Sequence, residues 1–75
     1  MNYKTALINQ GFEYSDVYGL FIKSHGFGQS TAVERCFGAH FICRKNDSGH
    51  MGAGVLVFDK EVKSSKEFQE LISKL

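Results

Sequence analysis

Cysteine and histidine are the residue types in this chain that could hold a metal ion. Cys36, His40, Cys43 and His50 follow one another as Cys-x3-His-x2-Cys-x6-His, and His25 precedes them. Thiolates and imidazoles are the usual ligands of structural zinc, but this spacing matches none of the common zinc patterns. On a single strand, Cys36 and His40 would point to one side and Cys43 to the other. The sequence therefore predicts neither a metal site nor a cofactor.

Two glycine-rich segments are weak candidates for phosphate binding. Gly26–Thr31 lacks the lysine and the spacing of a Walker A loop, and Gly49–Gly54 precedes a strand instead of linking a strand to a helix. His25 and His40 are candidate catalytic bases, yet neither is accompanied by a serine elbow or a pair of carboxylates. We therefore predict that the protein is not an enzyme.

Size and charge narrow the class of protein. The chain of 75 residues makes one domain, because it is too short for a second core. Apolar residues make up 43% of it and aromatic residues 13%, more than a disordered chain contains. Nine basic residues nearly balance eight acidic ones. Nucleic-acid-binding domains usually carry a clear basic excess, so the composition does not favour that class.

The cellular location is predicted from the apolar pattern and the thiols. No apolar run approaches the ~20 residues that a bilayer-spanning helix needs. Met1–Lys4 leads into a mixed segment without the apolar region of a signal peptide. We therefore expect a cytoplasmic protein, whose thiols stay reduced. If Cys36 and Cys43 share one strand, their Cα atoms are roughly 23 Å apart, so we expect two free, buried thiols.

Helices are predicted at both ends of the chain. Asn2 can cap a helix from Tyr3 to Gln10, and Gly11 stands where a left-handed residue would end it. Ser64 and Glu67 have the spacing of a capping box. The residues that follow form one apolar stripe at i, i+3, i+4 and i+7: Phe68, Leu71, Ile72 and Leu75. A helix this short needs a surface to pack on, and the middle of the chain must provide it.

The middle of the chain predicts strands. Phe12–Ile22 is rich in aromatic and β-branched residues and is expected to form one strand, followed by a loop over Lys23–Ser30. Thr31–Phe37 is ambiguous between helix and strand: Thr31 and Glu34 match a capping box, but read with period two Val33 and Phe37 share one strand face. We favour a short helical turn or an irregular lead-in to about Cys36. The remaining predicted elements are a strand over Phe37–Arg44, a polar turn over Lys45–Gly49 and a return strand over His50–Asp59.

These elements predict an α+β fold in a single domain over residues 1–75. A small antiparallel sheet of about three strands is flanked on one face by an N-terminal and a C-terminal helix. The expected order is α-β-(short α or loop)-β-β-α. If Thr31–Phe37 is a true helix, a parallel β-α-β crossover is the alternative.

A few residues resemble a family of RNA-cleaving proteins. A first helix, then Gly11 and Phe12, then Gly38-Ala39-His40, a hairpin and a terminal helix are similar to the HicA-type toxins. The resemblance implies an α-β-β-β-α fold in which His40 acts on RNA. However, Gly-Ala-His stands where that family has Gly-Ser-His, and the long Phe12–Phe37 segment has no counterpart. We therefore do not assign the chain to the family.

Three lysines give a second reason to consider RNA. Double-stranded RNA-binding domains share the helix-sheet-helix order and place lysines at the start of the last helix, where this chain has Lys60, Lys63 and Lys66. Carboxylates interleave with these lysines, and helical spacing pairs Lys63 with Glu67, which weakens a phosphate-facing surface. RNA binding or cleavage through the lysines and His40 is therefore the alternative function.

Aromatic residues favour a different function. Seven Phe and three Tyr are more rings than so small a core readily hides, and exposed aromatic clusters commonly anchor protein interfaces. The favoured prediction is a small non-catalytic interaction protein that binds a protein partner. Its size and lack of motifs suggest a regulator or inhibitor of a phage or mobile-element type. A homodimer whose interface covers part of the sheet is a further expectation.

The predicted contact surface centres on the glycine-rich loop. Gly26 and Gly28 give the backbone freedom to present the Phe27 ring, and the residues around it are polar. The expected contact residues are Phe27, His25, Gln29 and Tyr18. The alternative is that Phe27 folds back and covers one end of the sheet.

Overall fold

The computed structural model describes residues 2–46 and 54–75 of the chain. They form a five-stranded antiparallel sheet with one helix before it and one after it. The elements are α1 (Tyr3–Asn9), β1 (Glu13–Ser15), β2 (Leu20–Gly26), β3 (Gln29–Phe37), β4 (His40–Asn46), β5 (Val55–Glu61) and α2 (Ser65–Ile72). Each strand pairs with the next one in the chain, so the sheet is a meander with β1 and β5 at its edges.

The predicted strands were wrong in number and in bounds, although the α+β class is broadly similar. The single strand predicted over Phe12–Ile22 is two strands, β1 and β2, with a turn at residues 16–19. The loop predicted over Lys23–Ser30 is the end of β2, a two-residue tip and the start of β3. Thr31–Cys36 lies inside β3 rather than in a helical turn, which removes the parallel crossover as an alternative.

The bounds predicted for the later strands also differ from those in the structure. The strand predicted over Phe37–Arg44 is divided, because β3 ends at Phe37 and β4 begins at His40. β4 continues to Asn46, into the segment predicted as a turn. The rest of that turn and the start of the predicted return strand lie outside the described residues. β5 covers Val55–Glu61.

Glycine turns account for the additional strands. Gly19 has a φ of 69°, and its N–H donates to the Ser15 carbonyl at 2.8 Å. Phe37 pairs with His40 across a two-residue connection whose first residue, Gly38, has a φ of 53°. A positive φ at the first central position alone is the type II′ pattern, which suits a tight hairpin. The spacing of apolar residues does not indicate such turns, so an apolar run in the sequence can continue through one and be predicted as a single strand.

The buried core lies between both helices and one face of the sheet. Phe21, Val33 and Cys43 are aligned across β2, β3 and β4, and all three are nearly inaccessible to solvent. The ring of Phe68 on α2 lies 4.6 Å from the ring of Phe41 on β4. The other buried apolar residues of the cluster are Leu7, Phe12, Val62 and Ile72. Both helices therefore pack on the same face of the sheet.

The first helix begins at its predicted cap and ends at Asn9, one residue before the predicted end. Asn2 Oδ1 accepts the Thr5 N–H at 3.2 Å, as an N-cap does. Gly11 has a φ of 94°, and the Phe12 N–H then donates to the Leu7 carbonyl at 3.0 Å. This left-handed end turns the chain back, so that Leu7 and Phe12 both enter the core.

The last helix also begins at its predicted cap. Ser64 Oγ accepts the Glu67 N–H at 3.1 Å, while the Glu67 carboxylate accepts the Lys63 N–H at 2.7 Å. In a regular capping box the glutamate bonds the N–H of the cap residue itself, so this contact lies one residue earlier. Phe68 and Ile72 of the apolar stripe are fully buried. Leu71 and Leu75 pack at its margin.

Candidate functional site

The tip of the hairpin between β2 and β3 carries Phe27 in an unusual backbone conformation. Gly26 pairs with Gln29, and the two residues between them have φ of 54° for Phe27 and 77° for Gly28. Positive φ at both central positions defines a type I′ turn, which favours asparagine or glycine at the first of them. Phe27 is the one non-glycine residue with positive φ in the described chain. Its side chain is fully exposed.

A histidine forms a side-chain hydrogen bond at the base of this hairpin. The pairing of β2 with β3 shifts between Ser24 and Gly26, which places His25 at a bulge. His25 Nε2 and the hydroxyl oxygen of Thr31 are hydrogen bonded at 2.7 Å, and Thr31 is fully buried. The Ser24 hydroxyl also accepts the Gly26 N–H at 3.4 Å. These contacts hold the tip in a defined orientation relative to the sheet.

The four residues predicted to contact a partner do not lie in one place. His25, Phe27 and Gln29 are neighbours at the hairpin tip and are all exposed. Tyr18 is half exposed but lies in the turn before β2, at the other end of that strand. A seven-residue strand is roughly 20 Å long, so Tyr18 cannot share a small contact surface with Phe27.

His40, the histidine of the alternative function, has a carboxylate partner. Its Nε2 is hydrogen bonded to Asp59 Oδ1 on the neighbouring strand β5. The exposed ring of Phe37 stacks on the imidazole, with centroids 5.4 Å apart and planes 12° from parallel. The register of β4 with β5 brings Asp59 here, and no local motif in the sequence indicated it.

Of the three lysines of the alternative function, Lys60 lies on the other face of the sheet from His40. Lys60 is opposite Phe41, on the helix-covered face, and its Nζ lies 3.4 Å from a Glu67 carboxylate oxygen. His40 precedes Phe41 and therefore points to the other face of the sheet. The Lys63 N–H bonded to Glu67, together with Lys60, lowers the pKa of that carboxyl below its usual 4.5. The structure therefore does not combine Lys60 and His40 in one phosphate-facing surface.

The two thiols lie in different environments. Cys43 on β4 is fully buried, and this burial raises the pKa of its thiol to about 11. Cys36 on β3 is exposed, which contradicts the prediction that it is buried. Both thiols are free. They lie on adjacent strands, so the condition that they share one strand does not hold.

No metal centre is formed by the described side chains. Across residues 2–46 and 54–75, no three histidine, cysteine, aspartate or glutamate side chains are grouped closely enough to hold an ion. His50 and most of the second glycine-rich segment lie outside these ranges. None of the helices in the same ranges is both long and apolar enough to cross a membrane.

Comparisons of the chain with protein-family models, with curated proteins and with solved structures find no match.

Proposed function

We propose that this protein is a small non-catalytic module that binds a protein partner through the tip of the β2–β3 hairpin, with Phe27 as the anchor. The observation that carries this proposal is the pairing of full exposure with a left-handed backbone at Phe27. A phenylalanine in this position contributes nothing to the core. It also holds a conformation that a smaller residue would adopt more easily.

The energetic argument compares Phe27 with the residues that a type I′ turn favours. A left-handed conformation costs a residue with a β-carbon roughly 1–2 kcal/mol, whereas glycine and asparagine adopt it readily. Strained backbone conformations of this kind are concentrated at functional sites. Burial of the ring against a partner would offset the strain, because aromatic side chains dominate the binding energy of protein interfaces.

The surroundings of Phe27 suit an interface rather than a catalytic site. Ser24, His25 and Gln29 are exposed polar residues that can form the hydrated rim of a contact. The hydrogen bond between His25 and Thr31 limits the motion of the hairpin before binding. A tip that is already oriented loses less conformational freedom when the partner docks.

The wider role follows from the size of the protein and its free thiols. We place it in the cytoplasm, where an exposed thiol such as that of Cys36 stays reduced. We also propose a regulator or inhibitor of a phage or mobile-element type, which rests on the small size of the domain and on its lack of recognised motifs. A homodimer is an alternative use of the same tip.

Site-specific photo-crosslinking tests the proposal. p-Benzoylphenylalanine in place of Phe27 should capture one protein in the cells that produce this chain, and excess unlabelled protein should compete for it. The matched control carries the same group in place of Val55, an exposed apolar residue on β5, and should not capture that protein. Capture of a second copy of the chain would identify the homodimer instead.

Affinity measurement completes the test once the captured protein is purified. Phe27→Ala should weaken its binding by about 2 kcal/mol or more, the scale of an interface hot spot. Phe27→Asn removes the same ring and relieves the backbone strain, so it separates loss of binding from loss of folding. Unchanged affinity in both variants would refute the proposal.

RNA binding or cleavage is the second candidate, favoured by the hydrogen bond between His40 and Asp59. A carboxylate that orients an imidazole is a common arrangement in general acid–base catalysis, and Phe37 offers an exposed ring on which a base could stack. Incubation with labelled single-stranded RNA tests it. Cleavage that disappears in His40→Ala and falls in Asp59→Asn would establish the cleaving function, and intact RNA would exclude cleavage.

A further inference from the structure

A groove lies between α1 and the sheet, at the opposite end of β2 from Phe27. Its volume is about 460 Å³, within the range of ligand-binding clefts. Its lining has three aromatic residues, three aliphatic residues and two cations, among them Tyr3, Tyr14, Phe21, Ile8, Lys4 and Arg35. The function proposed above does not use this region, so the groove requires a separate explanation.

The aromatic walls of the groove are held by ring contacts. Phe21, at the floor, is nearly buried, and its ring centroid lies 5.1 Å from that of Tyr14 and 6.2 Å from that of Tyr3. Both contacts have the edge-to-face geometry that aromatic pairs prefer. The walls are therefore present before any ligand binds. Their apolar surface favours a ligand with an apolar or aromatic group.

The charges of the groove are of one sign. Lys4 and Arg35 are exposed, and no carboxylate lines the groove. The Arg35 guanidinium lies 5.4 Å above the Tyr3 ring. Within the described residues, the ion pairs are His40 with Asp59 and Lys60 with Glu67, so neither Lys4 nor Arg35 is neutralised by an acidic side chain. An anionic group on the ligand would complement them.

The rim of the groove indicates a macromolecular ligand. Ile8 and Tyr14 are 59% and 56% exposed, and the adjacent turn adds Val17 at 88% and Tyr18 at 56%. This apolar surface continues outside the groove, beyond the reach of a small ligand. An extended peptide would cover both the groove and its rim.

We infer that the groove binds a short segment of a partner protein in which an apolar or aromatic side chain stands beside a carboxylate. The apolar side chain enters between Tyr3, Tyr14 and Phe21. The carboxylate meets Arg35, whose planar guanidinium can donate two parallel hydrogen bonds, with Lys4 as a second cation. The site is independent of the Phe27 tip, about the length of β2 away.

Selection from random heptapeptides displayed on phage tests this inference with the full chain as the target. The selected sequences should share a large apolar residue within two positions of an aspartate or glutamate. A synthetic peptide from that selection then serves as the probe in fluorescence anisotropy. A selection without binders, or one whose binders lack the carboxylate, would overturn the inference.

Matched variants locate the site of the selected peptide. Arg35→Gln should weaken its binding about tenfold, since a charge-assisted hydrogen bond is lost. Arg44→Gln is the control, because Arg44 lies on the opposite face of the sheet from the groove. Its affinity for the peptide should stay within about twofold of that of the wild type, since a surface charge on the far face is largely screened from the groove. Phe27→Asn should bind the peptide as the wild type does, even if the proposed function fails.

The remaining outcomes also decide the question. Wild-type affinity in Arg35→Gln, or loss of binding in Phe27→Asn, would overturn the inference. If circular dichroism shows that Arg35→Gln is unfolded, Lys4→Gln, an exposed change on α1, replaces it and should also weaken binding. Unchanged binding in a folded Lys4→Gln would then count against the site.

Discussion

His25 Nε2 and Thr31 Oγ1 lie 2.7 Å apart, and this hydrogen bond joins an exposed residue of β2 to a fully buried residue of β3. It stands at the base of the turn that carries Phe27. The pairing of the two strands is irregular at this point, so the side-chain bond supplies a connection where the backbone ladder is interrupted. The orientation of the proposed binding tip therefore depends on a polar residue within the core.

Thr31→Val tests this relationship, because it removes the hydroxyl and keeps the shape of the side chain. We expect a loss of about 1 kcal/mol in the free energy of unfolding, the usual net value of one hydrogen bond. Amide hydrogen exchange near Gly26 and Gln29 should accelerate as well. Urea denaturation and exchange measured by NMR check the two effects. Thr31→Ser keeps the hydroxyl and should leave the exchange rates at the tip close to those of the wild type.

The sequence predicts the ends of this fold better than its middle. The caps at Asn2 and Ser64 are local, since each depends on residues within one helical turn, and both were found. The strand bounds depend on Gly19 and Gly38, whose positive φ values become evident only when the register of the sheet is known. An apolar run of aromatic and β-branched residues fits one long strand or two short ones equally well.

The candidate sites also divide into features that nearby residues indicate and features that only the paired strands bring together. The glycines on either side of Phe27 identified it as a candidate from the sequence, but only the structure shows that its side chain is fully exposed. The partnership of His40 with Asp59 could not be predicted, because residues far apart in the chain meet only through the pairing of β4 with β5. The groove combines residues from α1, β1, β2 and β3, so no segment of the sequence contains its pattern.

Phe27→Asn should make the domain more stable although it removes a large apolar side chain. The ring is fully exposed, so its loss forfeits no core contact, while asparagine tolerates the left-handed conformation. We expect a gain of about 1 kcal/mol, measured as a higher midpoint of urea denaturation. Phe37→Asn is the control, since Phe37 is also exposed but does not have a positive φ. It should not stabilise the protein.

Phe68→Ala should remove most of the stability of the domain. Phe68 is fully buried on α2 and lies against the Phe41 ring, so its truncation leaves a cavity at the junction of helix and sheet. Such a change costs about 3–5 kcal/mol, comparable to the whole stability of a small domain. Thermal denaturation followed by circular dichroism measures it. Gln69→Ala, an exposed change on the same helix, should melt close to the wild type, and a native-like melting curve for Phe68→Ala would refute the packing described here.

The two cysteines should differ in reactivity. Burial raises the pKa of the Cys43 thiol from 9.0 to about 11, so this group is neutral and inaccessible in the folded protein at mildly alkaline pH. Ellman's reagent should therefore modify Cys36 rapidly and Cys43 only after denaturation. The pKa of the Cys43 thiol also couples folding to pH, because it is higher in the folded state than in the unfolded state. The contribution of the neutral thiol to the free energy of unfolding is therefore complete below pH 9.0 and is lost as the pH rises towards about 11. Cys43→Ala should leave a single fast-reacting thiol, and two fast thiols in the wild type would contradict the buried position of Cys43.

The acid side of the stability profile should depend on Glu67. The Lys63 N–H and the nearby Lys60 lower the pKa of its carboxyl below 4.5, so the folded state favours the ionised form. Because the pKa in the folded state is the lower one, this stabilisation is present above pH 4.5 and is lost as the pH falls through the folded-state value. Glu67→Gln keeps an oxygen that can accept the Lys63 N–H but has no charge to titrate. Its midpoint of urea denaturation should therefore fall less between neutral pH and acid than that of the wild type. Glu70→Gln changes an exposed carboxylate on the same helix, and its midpoint should fall between neutral pH and acid as much as that of the wild type. An equal fall in all three proteins would show that Glu67 does not couple folding to pH.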